Sequence, residues 1–341
     1  MKNSLYLMSF VLVFVACRNS QPNEKLFVEK LTGNNAVSYT DVTFAGVKDT
    51  VLVTTMSGRV AFKYKGQPNE KVVGHIDDEI YVVNYNNFKK HIALSTLDSG
   101  IIILDAESGK ELHRLPVIDT WCLSSGYSSN GEYLYANDQR VNRFIWSVNN
   151  NYRPIVIPDH MPQGIIKEME KELLTIISRG KIIHYNLYKQ QIVKETLIKF
   201  FGFADMDLQG NILAIDGNTC SMFNEGIDTA RFSIKHPGWL RSVENFESSV
   251  VEQIKQAGLT IENGYFEDPN YQMLLTDAKF GKDLIFTSSI DRSIRVWDKN
   301  EGQLLRSVTG HKATVNKIKV SPDKSQLVSI DLKGGLQFNN I

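Results

Sequence analysis

Histidine, hydroxyl and carboxylate side chains recur along this chain at similar spacings, and together they could support nucleophilic catalysis. The sets are His75 with Thr96 and Asp98, Ser289 with Asp291 and Trp297, and His311 with Ser329 and Asp331. A hydroxyl nucleophile, an imidazole base and an orienting carboxylate are the parts of a catalytic triad. Because these residues return in phase with a longer repeat, we expect them to be buried structural groups.

The repeat consists of short β-strand signals separated by turn residues, and its last copy is the clearest. Gly310-His311 opens this copy, the alternating residues of 315–320 form a strand, Ser321–Lys324 reads as a turn, and Leu327–Ile330 reads as a second strand. The segment SSIDRSIRVWD (288–298) shows the next part of the pattern, one copy earlier. Gly33 and Gly74 open two earlier units 41 residues apart, and about seven units fit the chain.

This unit resembles the WD40 repeat, which implies an all-β, seven-bladed β-propeller closed by an N-terminal strand. The resemblance implies that residues 26–31 supply the outer strand of the last blade. In the family, the histidine, the Ser/Thr, the aspartate and the tryptophan can form one buried hydrogen-bonded chain. No unit here shows the whole set: Leu104 replaces the tryptophan in the second unit, no Gly-His precedes Ser289 at the expected place, and Phe338 stands one residue late.

One segment, residues 237–270, breaks the repeat between the fifth and sixth units. Apolar residues at steps of three or four predict an amphipathic helix, with Gly258 as its C-terminal cap; they are Val243, Phe246, Val250, Ile254 and Ala257. We expect the insert on the face formed by blade-to-blade connections. In one interpretation its apolar stripe packs on the ring, and in the other aromatic and arginine residues stay partly exposed as a protein contact surface; both can hold together. The residues of that second alternative are Trp239, Arg241, Tyr265, Phe266 and Tyr271.

The first residues predict export and lipidation. Residues 1–16 contain a positive start and an apolar run of signal-peptide length, and the segment VFVAC resembles a bacterial lipobox with Cys17 as the lipidated residue, although Phe14 departs from the preferred leucine. An ordinary cleaved signal or a buried N-terminal strand are the alternatives. Residues 17–24 read as a lipid-anchored tether and 25–341 as the propeller. Arg18, which is not aspartate, favours the outer membrane, on its periplasmic side or at the surface.

The overall composition excludes several classes of protein. Lys plus Arg and Asp plus Glu both number 38, so no net charge attracts nucleic acid, and three cysteines show no zinc or disulfide spacing. We expect no cofactor and no metal; the acidic segment HIDDE (75–79) is only a weak metal candidate. The expected function is a membrane-anchored, non-catalytic platform in the bacterial cell envelope that holds another protein.

Two alternatives to that function would use the central channel of the propeller. One is an enzyme of the hydrolase or quinoprotein type, and the other is a binder of small ligands or glycans. The channel candidates are few: Asp41, Asp205, Asp207, Asp277 and Lys317.

Overall fold

Small antiparallel sheets make up the computed structural model, which describes residues 38–198, 202–226 and 229–341. In seven of the sheets the strands pair in chain order, from an inner strand to an outer one. These sheets are the blades. An eighth, three-stranded sheet belongs to the insert.

The strand bounds follow the predicted units closely. Blade 1 holds β1 (Tyr39–Phe44), β2 (Thr50–Thr55), β3 (Arg59–Tyr64) and β4 (Glu70–His75), and blade 2 holds β5 (Ile80–Asn86), β6 (His91–Thr96), β7 (Ile101–Asp105) and β8 (Glu111–Leu115). Blade 3 holds β9 (Cys122–Tyr127), β10 (Tyr133–Asp138), β11 (Arg143–Ser147) and β12 (Arg153–Pro154), and blade 4 holds β13 (Ile165–Glu170), β14 (Leu173–Ser178), β15 (Lys181–Asn186) and β16 (Gln191–Leu197). Blade 5 holds β17 (Phe203–Met206), β18 (Ile212–Asp216), β19 (Thr219–Phe223) and β20 (Phe232–Lys235). After the insert, blade 6 holds β24 (Leu275–Phe280), β25 (Leu284–Ser289), β26 (Ile294–Asp298) and β27 (Leu304–Val308), and blade 7 holds β28 (Val315–Val320), β29 (Gln326–Asp331) and β30 (Leu336–Asn340).

Burial within a blade depends on the position of the strand. The second strands, such as β6 and β29, are almost wholly buried, because neighbouring blades cover both of their faces. The outer strands, such as β16, are exposed and carry lysine and glutamate between their apolar residues. This gradient explains why β-branched residues fill the second strands, since such residues pack well on a pleated surface.

The ring closes between blade 7 and blade 1 through both packing and hydrogen bonds. Val328 and Ile330 of β29 share a core with Val42 of β1 and Val53 of β2. The Gln326 amide donates to the Asp49 carboxylate at 2.8 Å and accepts from the Asp49 backbone N–H at 2.9 Å. The first and last blades therefore contact each other directly, and the predicted seven-bladed propeller is confirmed.

Three inner strands carry an aspartate at the same structural position, directly after a shift in strand register. Asp41, Asp205 and Asp277 occupy this position in blades 1, 5 and 6. Each carboxylate accepts a backbone N–H from the inner strand of the next described blade in the ring. The donors are Val83 at 2.9 Å, Phe280 at 2.8 Å and Ile318 at 3.3 Å, respectively. These aspartates connect neighbouring blades around the channel.

The insert forms a small sheet of its own rather than a blade. β21 (Trp239–Ser242) pairs with β23 (Tyr265–Asp268), which also pairs with β22 (Ile261–Glu262), and α1 spans Ser248–Gln256. Blades 5 and 6 still pack directly on each other, with Leu213 and Cys220 against Ala278 and Trp297. The insert therefore sits outside the ring of blades.

The helix of the insert is shorter than its sequence pattern predicts. Val243 and Phe246 precede it, because β21 pairs with β23 and the Val243 N–H donates to the Gly264 carbonyl at 2.9 Å. The predicted cap is correct: Gly258 has φ +79°, and its N–H and that of Leu259 close the last turn. No residue of α1 is buried. The alternative in which the helical stripe packs on the ring is therefore wrong for α1.

The predicted closing strand, residues 26–31, and the signal, Cys17 and tether lie outside the described residues. Within the described part of the chain, blade 7 has three strands and the other blades have four. If residues 26–31 pair with β30, a chain that begins at Thr32 should melt about 3 °C below one that begins at Lys25, through loss of roughly 2 kcal/mol. Differential scanning fluorimetry measures this, and equal melting temperatures would show that the N-terminal segment does not close the last blade.

Candidate functional site

Blade 6 contains a histidine set in which hydrogen bonds join three of the four members, and its histidine, His236, was missed in the sequence. The Trp297 indole N–H on β26 donates to the Thr287 hydroxyl on β25 at 2.8 Å, and that hydroxyl lies 2.8 Å from His236 Nε2. The other ring nitrogen of His236 lies 3.6 Å from the Asp291 carboxylate. Burial lowers the pKa of His236, so the ring is neutral at pH 7. The Thr287 hydroxyl accepts the Trp297 N–H and shares a hydrogen bond with His236 Nε2, while His236 Nδ1 faces Asp291.

His236 was not recognised because the insert follows it. The histidine stands 55 positions before Asp291, whereas His311 stands 20 positions before Asp331. Its only local signal is its place directly after β20, the outer strand of blade 5. In the described part of the chain, the histidine of the set therefore comes before the insert and the other three members come after it.

Two sequence assignments in this group are wrong. Ser289 donates to the Leu274 carbonyl at 2.9 Å and takes no part in the hydrogen-bonded chain, because Thr287 occupies that position. In blade 2, His75 and Asp98 are exposed, and the Thr96 hydroxyl bonds the Gly100 carbonyl at 2.9 Å. His75, Thr96 and Asp98 therefore form no buried set.

Blade 7 matches its prediction at three positions. His311 lies 2.7 Å from the Ser329 hydroxyl and 3.0 Å from the Asp331 carboxylate. Burial would raise the pKa of Asp331, but the bond to His311 and three backbone N–H groups, those of Gly335, Lys333 and Lys312, lower this pKa to about 2. All three side chains are buried, so the set has the composition of a triad without access for a substrate.

A fully buried arginine holds the insert against blade 6. The Arg295 guanidinium on β26 donates to both carboxylate oxygens of Glu267 on β23, at 2.7 and 2.8 Å, and to the Ser307 hydroxyl at 2.7 Å. Asp291 lies 3.8 Å from the same guanidinium. A buried guanidinium is stable only when it is paired, so this contact fixes the insert sheet beside the turn that carries Asp291.

The predicted contact residues divide into four that are accessible and one that is not. Trp239, Arg241 and Tyr265 are half-buried and Tyr271 is exposed. Phe266 is only 3% exposed, so its assignment to the contact surface is wrong. Along β23, side chains alternate between the two faces of the sheet, and Phe266 falls on the covered face.

The arginine and aromatic residues of the insert form one stacked group. The Arg241 guanidinium lies 4.7 Å from the Trp239 ring centroid and 5.5 Å from that of Phe246, and it pairs with Asp268 at 3.2 Å. Trp239 also meets Tyr271 edge-on at 5.9 Å. These contacts hold Arg241 and Trp239 in place before any partner binds.

A cleft of about 590 Å³ separates the insert from the turns of blades 6 and 7. Aromatic side chains of the insert form one wall, and Arg292, Lys312 and Lys333 stand on the other. Within the described residues these three side chains have no carboxylate within 4 Å. His311, Asp291 and Ser293 lie at the base of the cleft, and Glu244 adds one exposed carboxylate on the side of the insert. The cleft is therefore an open groove with an excess of basic side chains over the two buried histidine sets.

Three aspartates proposed to line the channel form ion pairs, and the two described cysteines are buried. Asp41 pairs with Lys317 at 2.8 Å and Asp277 with Lys279 at 3.1 Å, while Asp207 pairs with Lys299 at 2.8 Å away from the channel lining. Burial raises the pKa of both Cys122 and Cys220 to about 12, and both thiols are free.

The described residues lack both a metal-binding cluster and a membrane-spanning helix. They contain no group of three or more histidine, cysteine or acidic side chains placed to hold a metal ion. In HIDDE, the Asp78 carboxylate instead accepts the backbone N–H groups of Asp98 and Ser99. Over the same ranges, no helix has the length and apolarity needed to span a bilayer.

The ring of blades and the histidine sets define a WD40-like β-propeller. The family described as "WD domain, G-beta repeat" matches residues 302–331. A solved structure titled "Structure of U3-55K" superposes with a TM-score of 0.64 at 11% identity, covering 89% of this chain and 96% of the other. A second, "Crystal structure of RRP9 WD40 repeats", gives 0.59 at 13% identity and covers 86% and 87%. No curated protein sequence matches the chain.

The hydrogen-bonded set of blade 6 should stabilise the fold. Thr287→Val keeps the side-chain volume but leaves the Trp297 N–H and His236 Nε2 buried without a partner, so it should lower the free energy of unfolding by about 1–3 kcal/mol. His75→Ala, at an exposed position, should change it by less than about 0.5 kcal/mol. Urea unfolding measures both, and equal effects of the two substitutions would contradict this assignment.

Proposed function

We propose that this WD40-like propeller is a non-catalytic interaction platform, lipid-anchored in the bacterial cell envelope, whose basic cleft binds an acidic segment of a partner protein. The observation that carries the proposal is the cleft between the insert and blades 6 and 7. It combines unpaired cationic side chains with a prearranged aromatic wall.

Charge complementarity identifies the kind of partner. Arg292, Lys312 and Lys333 stand on short turns, which hold their side chains at the rim of the cleft. A carboxylate-rich segment would neutralise them, and electrostatic attraction of this kind accelerates association and selects among partners. Trp239 and Tyr265 add the large, rigid contact area that is common at the centre of protein interfaces.

The structural role of the two histidine sets also supports function as a platform. Those of blades 6 and 7 are buried beneath the cleft, and their hydrogen bonds join the histidine that follows one blade to the second strand of the next. They fix the turns that carry Arg292 and Lys333, because Asp291 and Asp331 bind backbone N–H groups of those turns. The sets thus position the rim of the cleft rather than react with a ligand.

Charge reversal on the rim should weaken binding of an acidic peptide. We expect Arg292→Glu or Lys312→Glu to raise the Kd for a fluorescein-labelled, glutamate-rich peptide by about tenfold or more, with a loss of salt dependence. Fluorescence anisotropy at two salt concentrations measures both quantities.

Lys89→Glu is the matched control, because Lys89 is an exposed lysine at the β5–β6 turn, at the opposite end of the strands. An equal effect of Lys89→Glu would mean that the peptide senses only overall charge, and the cleft would be excluded. In parallel, partners captured from detergent-solubilised membranes should be lost with Arg292→Glu and kept with Lys89→Glu.

The membrane anchor rests on the lipobox-like segment before Cys17. In the native bacterium, Cys17→Ser should abolish incorporation of a clickable palmitate analogue and leave the signal uncleaved, whereas Cys122→Ser should remain labelled. Arg18→Asp should move the labelled protein from the outer to the inner membrane fraction. Labelling of the Cys17→Ser protein would contradict the anchor assignment.

A further inference from the structure

The lumen of the propeller is a second cavity, of about 520 Å³, and its lining is divided into two kinds of surface. Blades 2 and 3 contribute neutral groups: Val82, Asn84, Leu123, Ser124 and Ser125. Blades 4, 6 and 7 contribute four lysines: Lys167, Lys279, Lys317 and Lys319. The volume is within the range of pockets that hold small molecules.

The acidic groups of the lumen are already engaged. Asp41 accepts from Lys317 and from the backbone of Val83, and Asp277 accepts from Lys279 and from the backbone of Ile318. Asp205 accepts the Phe280 N–H and lies 3.9 Å from Lys279. Lys279 and Lys317 are therefore neutralised by the carboxylates that join the blades.

Lys167 and Lys319 have no such partner. Among the described residues, neither ammonium lies within 4 Å of a carboxylate, and Lys167 meets only the Phe203 ring, at 5.1 Å. Burial is the main cause that lowers the pKa of both lysines. Lys279 lowers both pKa values further, while Asp41 acts against this shift at Lys319 and Asp277 acts against it at both lysines. Two ammonium groups, one exposed and one half-buried, thus face one cavity without a direct ion pair.

A buried acceptor in the same lining also has no partner. The Oδ1 atom of Asn316, between the lysines of blade 7 and Thr276 of blade 6, makes no hydrogen bond. The Asn84 amide and the Ser125 hydroxyl, which bond each other at 2.8 Å, face the lumen from the opposite side. A ligand with hydroxyl groups could donate to Asn316 and bond these neutral residues.

We propose that the lumen binds a small organic phosphate that carries hydroxyl groups, with Lys167 and Lys319 as its counter-charges. A phosphomonoester carries between one and a half and two negative charges near pH 7, which matches two unpaired ammonium groups. Lysine serves well as a point charge for phosphate. The site is separate from the insert cleft, so the proposal does not depend on the acidic partner proposed above.

Calorimetric titration with glycerol 3-phosphate tests the site directly. The purified propeller should bind it with a Kd below about 1 mM, and should not bind glycerol at the same concentration. Lys319→Met or Lys167→Met should weaken binding by about tenfold or more, whereas Lys312→Met, an unpaired lysine of the insert cleft, should leave it unchanged.

Thermal stability separates a ligand site from a structural role. Because Lys319 makes no ion pair or hydrogen bond within the described residues, the melting temperature of Lys319→Met should be equal to or above that of the unsubstituted protein in phosphate-free buffer. The substitution should also abolish the rise in melting temperature on adding glycerol 3-phosphate. Absence of binding by the unsubstituted protein would overturn the proposal. So would equal weakening by Lys312→Met, or a lower melting temperature for Lys319→Met without ligand.

Discussion

The ring depends on how neighbouring inner strands are joined where they converge on the channel. There the strands carry few apolar residues, and Asp41, Asp205 and Asp277 join them through backbone N–H groups of the next blade. A carboxylate at such a position accepts more than one donor, which suits the irregular backbone after a shift in register. The negative charge must then be compensated, and Lys317 and Lys279 do this for two of the three blades.

These aspartates and lysines bring charge into the channel, and one lysine there has no ion pair. Lysines on alternate positions of β28 point the same way, so Lys317 and Lys319 both face the lumen. One of them finds Asp41 and the other does not. The direction of both lysines is thus a consequence of strand geometry, and Lys319, which adds a cation to the lumen without a direct ion pair, is the residue that points to an anionic ligand.

Much of the fold was readable from the sequence because each blade obeys local rules. Alternating β-branched residues and turn residues located the strands, and Gly310-His311 and Trp297-Asp298 fixed the phase of the repeat. The blade-6 set was assigned wrongly for a different reason. Ser289 and Thr287 lie two residues apart on β25 and point to the same face of the sheet, so their positions along the strand decide which one reaches His236.

The structure of the insert was the hardest to predict, because it is determined by contacts between residues that are distant in the chain. Val243 and Phe246 continue a helical spacing, but pairing of β21 with β23 takes the chain out of the helix until Ser248. Phe266 looks like an anchor by residue type, yet its place in a strand buries it. The pairing of Glu267 with Arg295 could not be inferred from spacing at all.

The insert and the histidine set of blade 6 are joined by polar contacts. His236 ends blade 5, Asp291 and Arg295 belong to blade 6, and Glu267 ends the insert sheet, so a chain of polar contacts runs from the blade core to the inserted strand. In an ordinary connection, His236 would lead directly into the next inner strand. Here the chain leaves after the histidine, builds a sheet against Arg295, and returns to β24. The insertion therefore keeps the stabilising contacts of blade 6 while adding one wall of a cleft, and it does so without separating blade 5 from blade 6.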